Sequence, residues 1–218
     1  MSSLTEATTV SEDFCGQAPP ASLACPETGL DSCQCYLAPD DDVILFAGQV
    51  RPYKGVGRLV TAFRKILKER PNARLVIAGA MHHKVLRKLR PALSRAERSR
   101  ILATDRFLDE PELQLFFRAA DLAVFPYSRI LTSGSLVLAL SFGLPTIVPR
   151  VGMTGAVLEG TDAGIVYDPE ADGALLAAMR ALLARKDDGT IGAMSEAALN
   201  RAREQEWPDV AETLYAGL

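Results

Sequence analysis

Apolar residues begin to recur in a regular pattern at Asp42 and continue to do so almost to the end of the chain. VILFAG (43–48) is wholly apolar. Val56, Leu59, Val60, Phe63, Ile66 and Leu67 then recur at the spacing of one helix face. The pattern predicts a strand over 43–48 and a helix over 56–70, closed by Pro71. The alternation repeats. RLVIAG (74–79) reads as a second strand, followed by a basic helix from about residue 82 that breaks at Pro91. RILATDRF (100–107) reads as a third strand or its approach. PELQLFFRAA (111–120) reads as a helix, with Glu110 and Glu112 near its positive end. LAVFP (122–126) is a fourth strand. SGSLVLALSF (133–142) is a nearly all-apolar helix that Gly143 stops. PTIV (145–148) and AGIVY (163–167) are further strands, and the glycine-rich stretch between them reads as loop. Helices over 172–186, 190–204 and 208–216 complete the pattern.

Apolar strands separated by helices predict an α/β fold, a Rossmann-like parallel sheet with helices on both faces and right-handed crossovers. Ligands in such sheets bind at the carboxyl ends of the strands. That rule singles out the turn after 43–48, the loop after 74–79 and the loop from Phe125 to Ser135. Residues 42–218 are expected to form one domain. Residues 1–41, rich in Pro, Ser, Thr and Gly without periodicity, read as an irregular acidic tail. The tail holds all four cysteines, Cys15, Cys25, Cys33 and Cys35. Without a C-x-x-C pair they read as free thiols rather than zinc ligands.

Charge sharpens the picture. The formal net charge of −3 conceals a strong asymmetry. Residues 1–50 carry eight acids and no Lys or Arg, whereas residues 51–100 carry fifteen Lys and Arg against Glu69 and Glu97. Such a block suits an anionic partner, or a solvated helix face whose long stems cover apolar surface. Only Tyr53 and Phe63 among its aromatics offer stacking, so no nucleic acid partner is expected. No apolar run reaches membrane-span length, and MSSLTEATTV has no secretory pattern. The expectation is a cytoplasmic protein, with the basic block as its only route to peripheral membrane contact.

Two stretches carry candidate chemistry. In GQVRPYKGVG (48–57), Gly48 and Gly55 allow a ligand close to the backbone. Arg51 offers a two-pronged phosphate contact and Lys54 a point charge, where a helix begins. A basic surface turn is the plainer reading. In PYSRILTSGSLVLALSFGLP (126–145), Thr132 or Ser133 caps a helix whose start Gly134 leaves open, and Ser133 and Ser135 add hydroxyls. An ordinary helix cap is the plainer reading there. No GK[ST] occurs, GVGRLV lacks the third glycine of a dinucleotide fingerprint, and His82 and His83 have no catalytic partners in the sequence. That pair reads as the start of a helix.

FAGQVRPYKGVGRLVTAF, LVIAGA, FLDEPELQLFFRAADLAVFPY, SGSLVLALSFGLPTIVP and GIVYDPEADGALLAAM follow one another as in family 4 (group 1) glycosyltransferases. Residues 42–217 resemble the C-terminal, donor-binding half of that GT-B fold, and Trp207 with the last helix is similar to its closing segment. The resemblance implies a retaining glycosyltransferase that uses a nucleoside-diphosphate sugar, with positive groups rather than a metal on the leaving diphosphate, and no cofactor. It places the family's diphosphate lysine at Lys54. The arginine five positions earlier falls on Gln49, leaving Arg51 to stand in. The glycine-rich helix start matches Ser133, Gly134 and Ser135. Gly48, Gly79, Arg106, Phe107 and Tyr127 fall at the donor-site periphery. The family's two glutamates fall on Ile130 and Leu138, so both carboxylates are absent. No catalytic residue is assigned.

The acceptor half that precedes the donor half in this family has no counterpart here. The expectation is a donor half alone, excised, truncated or paired with a separate subunit, and inactive in isolation. An apolar face left by the missing half would favour a homodimer. Two alternatives remain: a non-catalytic binding or interaction module with an eroded donor site, and a sugar-nucleotide epimerase of the same architecture.

Overall fold

The structure, a computed structural model, describes residues 37–38 and 40–204. Six strands form one parallel sheet: β1 (Asp42–Ala47), β2 (Ala73–Ala78), β3 (Ile101–Ala103), β4 (Leu122–Val124), β5 (Thr146–Pro149) and β6 (Gly164–Tyr167). Their order is β3-β2-β1-β4-β5-β6. β1 and β4 therefore lie side by side at the centre, and the chain winds outward from each in opposite directions. The gap between their carboxyl ends is the switch point at which doubly wound sheets hold ligands.

The helices are α1 (Val56–Glu69), α2 (His83–Ala92), α3 (Arg95–Arg98), α4 (Glu110–Ala119), α5 (Gly134–Ser141), α6 (Met153–Leu158), α7 (Ala174–Asp187) and α8 (Ile191–Glu204). α1 packs on α2 and α7, and α5 packs on α8, so both faces of the sheet are covered. Every residue of β1 is buried, and Val56, Leu59, Val60, Ala62, Phe63 and Ile66 are buried on one side of α1. This explains why β1 reads as an apolar run and α1 as a stripe. Asp109 caps α4 by accepting from Glu112 N–H, with Glu110 and Glu112 in the first turn. His82 caps α2, as the sequence suggests.

Several boundaries differ from expectation. Pro91 lies within the last turn of α2 rather than breaking it, and the helix ends at Ala92. The third strand stops at Ala103. The Thr104 hydroxyl accepts from Gly79 N–H and the Asp105 carboxylate from Met81 N–H, so these residues tie loops instead of extending the sheet. The stretch read as loop after β5 contains α6. Gly152 there is the constrained glycine: φ is 55°, and a β-carbon on it would fall 2.0 Å from the Ile130 carbonyl oxygen. The short turn of 3-10 helix Pro52–Lys54 and the four-residue α3 were also unforeseen. Residues 1–36 and 39 of the expected tail, with its four cysteines, Trp207 and the helix over 208–216 fall outside the described residues, whereas Asp41 at the tail's end is buried and paired with Arg74.

At the amino ends of the strands, charged groups bind several elements together. Lys186 on α7 donates to Asp121 at 2.7 Å and to the Asp41 carbonyl at 2.8 Å, and lies 3.1 Å from Asp42. Arg70 bridges Asp42 and Asp187, Arg74 pairs with Asp41, and Asp121 also accepts from Val43 N–H. Asp41 and Asp42 are buried.

Candidate functional site

The carboxyl ends of β1 and β4 bring the two sequence-predicted stretches together. After Gly48, Val50 pairs with Met81 alongside, and the chain turns through Pro52–Lys54 into Gly55. Gly55 holds φ at 70°, and a β-carbon there would fall 1.9 Å from the Pro126 carbonyl oxygen. This residue must be glycine both for its conformation and for that approach. The turn is further joined to the segment after β4 by Ser128, whose N–H and hydroxyl both donate to the Tyr53 carbonyl.

α5 begins at Gly134, behind Ser133. The Ser133 hydroxyl accepts from Leu136 N–H at 3.3 Å and lies 2.9 Å from the Tyr127 hydroxyl. The first turn of α5 holds no acid, and Gly134 is exposed, so the helix start presents positive potential to solvent. Gly48 (φ 119°) faces this start. A β-carbon on it would lie 2.9 Å from Ser135 Oγ and 3.4 Å from Lys54 Nζ. An ammonium, a hydroxyl and a helix N-terminus thus meet over a position that has no side chain.

Lys54 Nζ stands 5.2 Å from the centroid of the Tyr127 ring, within cation–π range. Burial, then repulsion from Arg51, holds the Lys54 pKa below the usual lysine value. Burial pushes the Tyr127 phenol up to about 12, against the Ser133 hydrogen bond, so it stays neutral. Tyr127 is fully buried. It links Lys54 to the α5 cap from beneath the site rather than lying at its open periphery. Sequence reasoning placed Tyr127 nearby but missed this link. The signal available was an aromatic six residues before the capping serine.

The other candidates sit around this centre. Arg51 is exposed and donates from Nε to Gln49 Oε1 at 2.9 Å. Gly79 (φ 140°) crosses Gly48 closely, since its β-carbon would meet the Gly48 carbonyl oxygen at 2.5 Å. Arg106 is paired with Glu112 at 2.5 Å, and Phe107 beside it is 82% exposed. Ile130 and Leu138, onto which the resemblance puts two glutamates, are half-buried and pack against the core. Ile130 is also pinned by Gly152, whose β-carbon would lie 2.0 Å from the Ile130 carbonyl oxygen. Among the described residues, no helix is long and apolar enough to cross a membrane.

The arrangement gathers a half-buried ammonium, an exposed guanidinium, hydroxyls and open helix N–H groups, all groups of the kind that contact phosphates. Comparison with known proteins agrees in fold. A GDP-mannose:glycolipid 4-beta-D-mannosyltransferase from Xanthomonas campestris pv. campestris is 30% identical over 174 residues, 79% of this chain and 47% of that one. The chain spans about half the length of the curated relatives it matches. The solved HepE of Anabaena, in complex with UDP and glucose, superposes with a TM-score of 0.68 at 15% identity, over 91% of this chain and 53% of that one. The C-terminal domain of the group 1 family protein LpcC from Francisella tularensis superposes with a TM-score of 0.65 at 15% identity, covering 85% of this chain and 96% of that domain. The solved neighbours are GT-B glycosyltransferases. The sequence profile of glycosyl transferases group 1 matches residues 41–185, and the chain belongs to that family.

Proposed function

We propose that this chain binds the nucleoside-diphosphate sugar of a retaining glycosyl transfer, as the donor-binding half of a two-domain enzyme. The observation that carries this reading is the convergence of Lys54 Nζ, Ser135 Oγ and the acid-free start of α5 over Gly48. Negative charge develops on the leaving diphosphate as the sugar–phosphate bond breaks. Positive groups already in place stabilise it without reorganisation. Lys54 supplies the fixed charge, Arg51 closes from the exposed side, and Ser133, Gly134 and Ser135 supply hydroxyl and backbone donors. Tyr127 holds Lys54 and the α5 cap in register.

The names of the relatives favour a nucleotide-sugar donor, since one is a GDP-mannose-dependent mannosyltransferase and a solved neighbour holds UDP and glucose. The full-length correspondence with a C-terminal domain supports the donor-half reading. The acceptor-binding half is then supplied by another segment or subunit, and the isolated chain turns over no donor. Ile130 and Leu138 carry no carboxylate, so sugar and ribose contacts fall to Ser133, Ser135 and backbone groups. That replacement is also the observation favouring the second reading, a non-catalytic nucleotide-binding or interaction module.

Calorimetric titration with UDP, GDP and ADP tests the proposal. One nucleotide is expected to bind, and Lys54→Ala is expected to weaken it by at least about tenfold. If no nucleotide binds, the donor site is eroded and the interaction-module reading replaces the first. Sugar transfer by the pure chain would refute its dependence on another half.

A further inference from the structure

A second cleft, of about 430 Å³, opens between α1 and the start of α7 and shares no lining residue with the Lys54 site. Its volume is in the range of small-molecule pockets. One wall is α1, where Arg58 and Lys65 stand seven residues, or about two turns, apart on the same side. The facing wall is the loop after β6, with Asp172, and the first turn of α7, with Leu175. α7 starts behind Gly173 (φ 75°), with no side-chain cap and no acid in its first turn. Ala174 N–H donates to the Ala171 carbonyl, and no side chain caps the N–H groups that follow.

Tyr167 supplies an independent observation. It ends β6, lines the same cleft, and is 6% exposed, yet its hydroxyl has no hydrogen-bond partner. Burial pushes the phenol up to about 12, while the nearby Arg58 charge pulls the other way, so the group is a neutral donor. A buried hydroxyl left unpaired is a destabilising choice where phenylalanine would fill the same space. Beside two cations and an uncapped helix start, such a donor suits an acceptor-rich ligand.

We propose that this cleft binds an organic phosphate monoester. Arg58, Lys65 and the start of α7 hold the phosphate, and the Tyr167 hydroxyl donates to it from beneath. The carbon body lies on Leu175, and Asp172 accepts from a hydroxyl of that body. A soluble phosphorylated metabolite and a lipid phosphate headgroup present the same chemistry.

The test is backbone-amide NMR titration of the full chain with glycerol 3-phosphate, with sedimentation on phosphatidic-acid vesicles against neutral vesicles as a second arm. Glycerol 3-phosphate is expected to shift amides in 57–65 and 171–176. Arg58→Ala with Lys65→Ala should weaken binding by about tenfold or more, and Tyr167→Phe by a few-fold. Lys54→Ala should leave it unchanged, which separates this site from donor binding. Binding to phosphatidic-acid vesicles alone, with the same dependence on Arg58, Lys65 and Tyr167, supports the site and identifies the lipid source. If neither probe binds, or if the amide shifts lie elsewhere, the proposal is overturned. So it is if Tyr167→Phe only stabilises the fold and leaves binding intact, because the orphaned hydroxyl would then serve no ligand.

Discussion

The Lys54 ammonium is half-buried, crowded by Arg51 and resting on the Tyr127 ring. Its pKa lies below the ordinary lysine value of 10.5. The charged form is the one that binds an anion, so nucleotide affinity is expected to fall as pH rises through that depressed value, sooner than an exposed lysine would allow. Titrations between about pH 7 and pH 10 check this. Arg51→Gln removes the repulsion and should move the fall to higher pH, even as it costs a phosphate contact. At this scale the sequence displayed the cations and hydroxyls of RPYKG and TSGS, because residue type and turn chemistry are local. It did not display Tyr127 beneath them, nor the engagement of Arg106 by Glu112. Both depend on how turns pack, and turn packing leaves no period along the chain.

At the scale of elements, Gly55 joins the cationic turn to α1 and lets the Pro126 carbonyl pass. Gly55→Ala combines an unfavourable positive φ with a backbone clash. It is expected to lower stability by about 2 kcal/mol or more, read from the urea midpoint. Gly57, with open space around its α-carbon, is the control: alanine there should be neutral or stabilising. Strong patterns gave the elements away. β1 and α1 lie within one residue of their expected bounds, since burial on both faces or along one stripe writes itself into the sequence. α6 was hidden because Gly152, just before it, serves a close approach to Ile130, and glycine in that role imitates a loop.

For the molecule as a whole, Lys186 draws α7 onto the entry to β1 and the turn before β4. Burial opposes its charge, but hydrogen bonds and attraction from Asp121 and Asp42 outweigh burial and raise its pKa. A raised lysine stabilises the fold below its unfolded-state value and loses that contribution only as pH climbs through the folded one. Lys186→Met leaves buried Asp42 with Arg70 alone and is expected to cost about 2–3 kcal/mol at neutral pH, with an unchanged denaturant slope.

The two ends of the sheet are therefore unequal. One is fastened by a lattice of charges, while the other is tied by backbone and hydroxyl hydrogen bonds around glycines at 48, 55 and 79 and presents cations and helix starts to solvent. Local opening should run along this gradient, with amides at 43–45 exchanging with solvent more slowly than those at 48–55 in hydrogen–deuterium exchange. Ligand binding would then add charge contacts at the carboxyl end, so that slowed exchange there reports occupancy without any need to follow the chemistry.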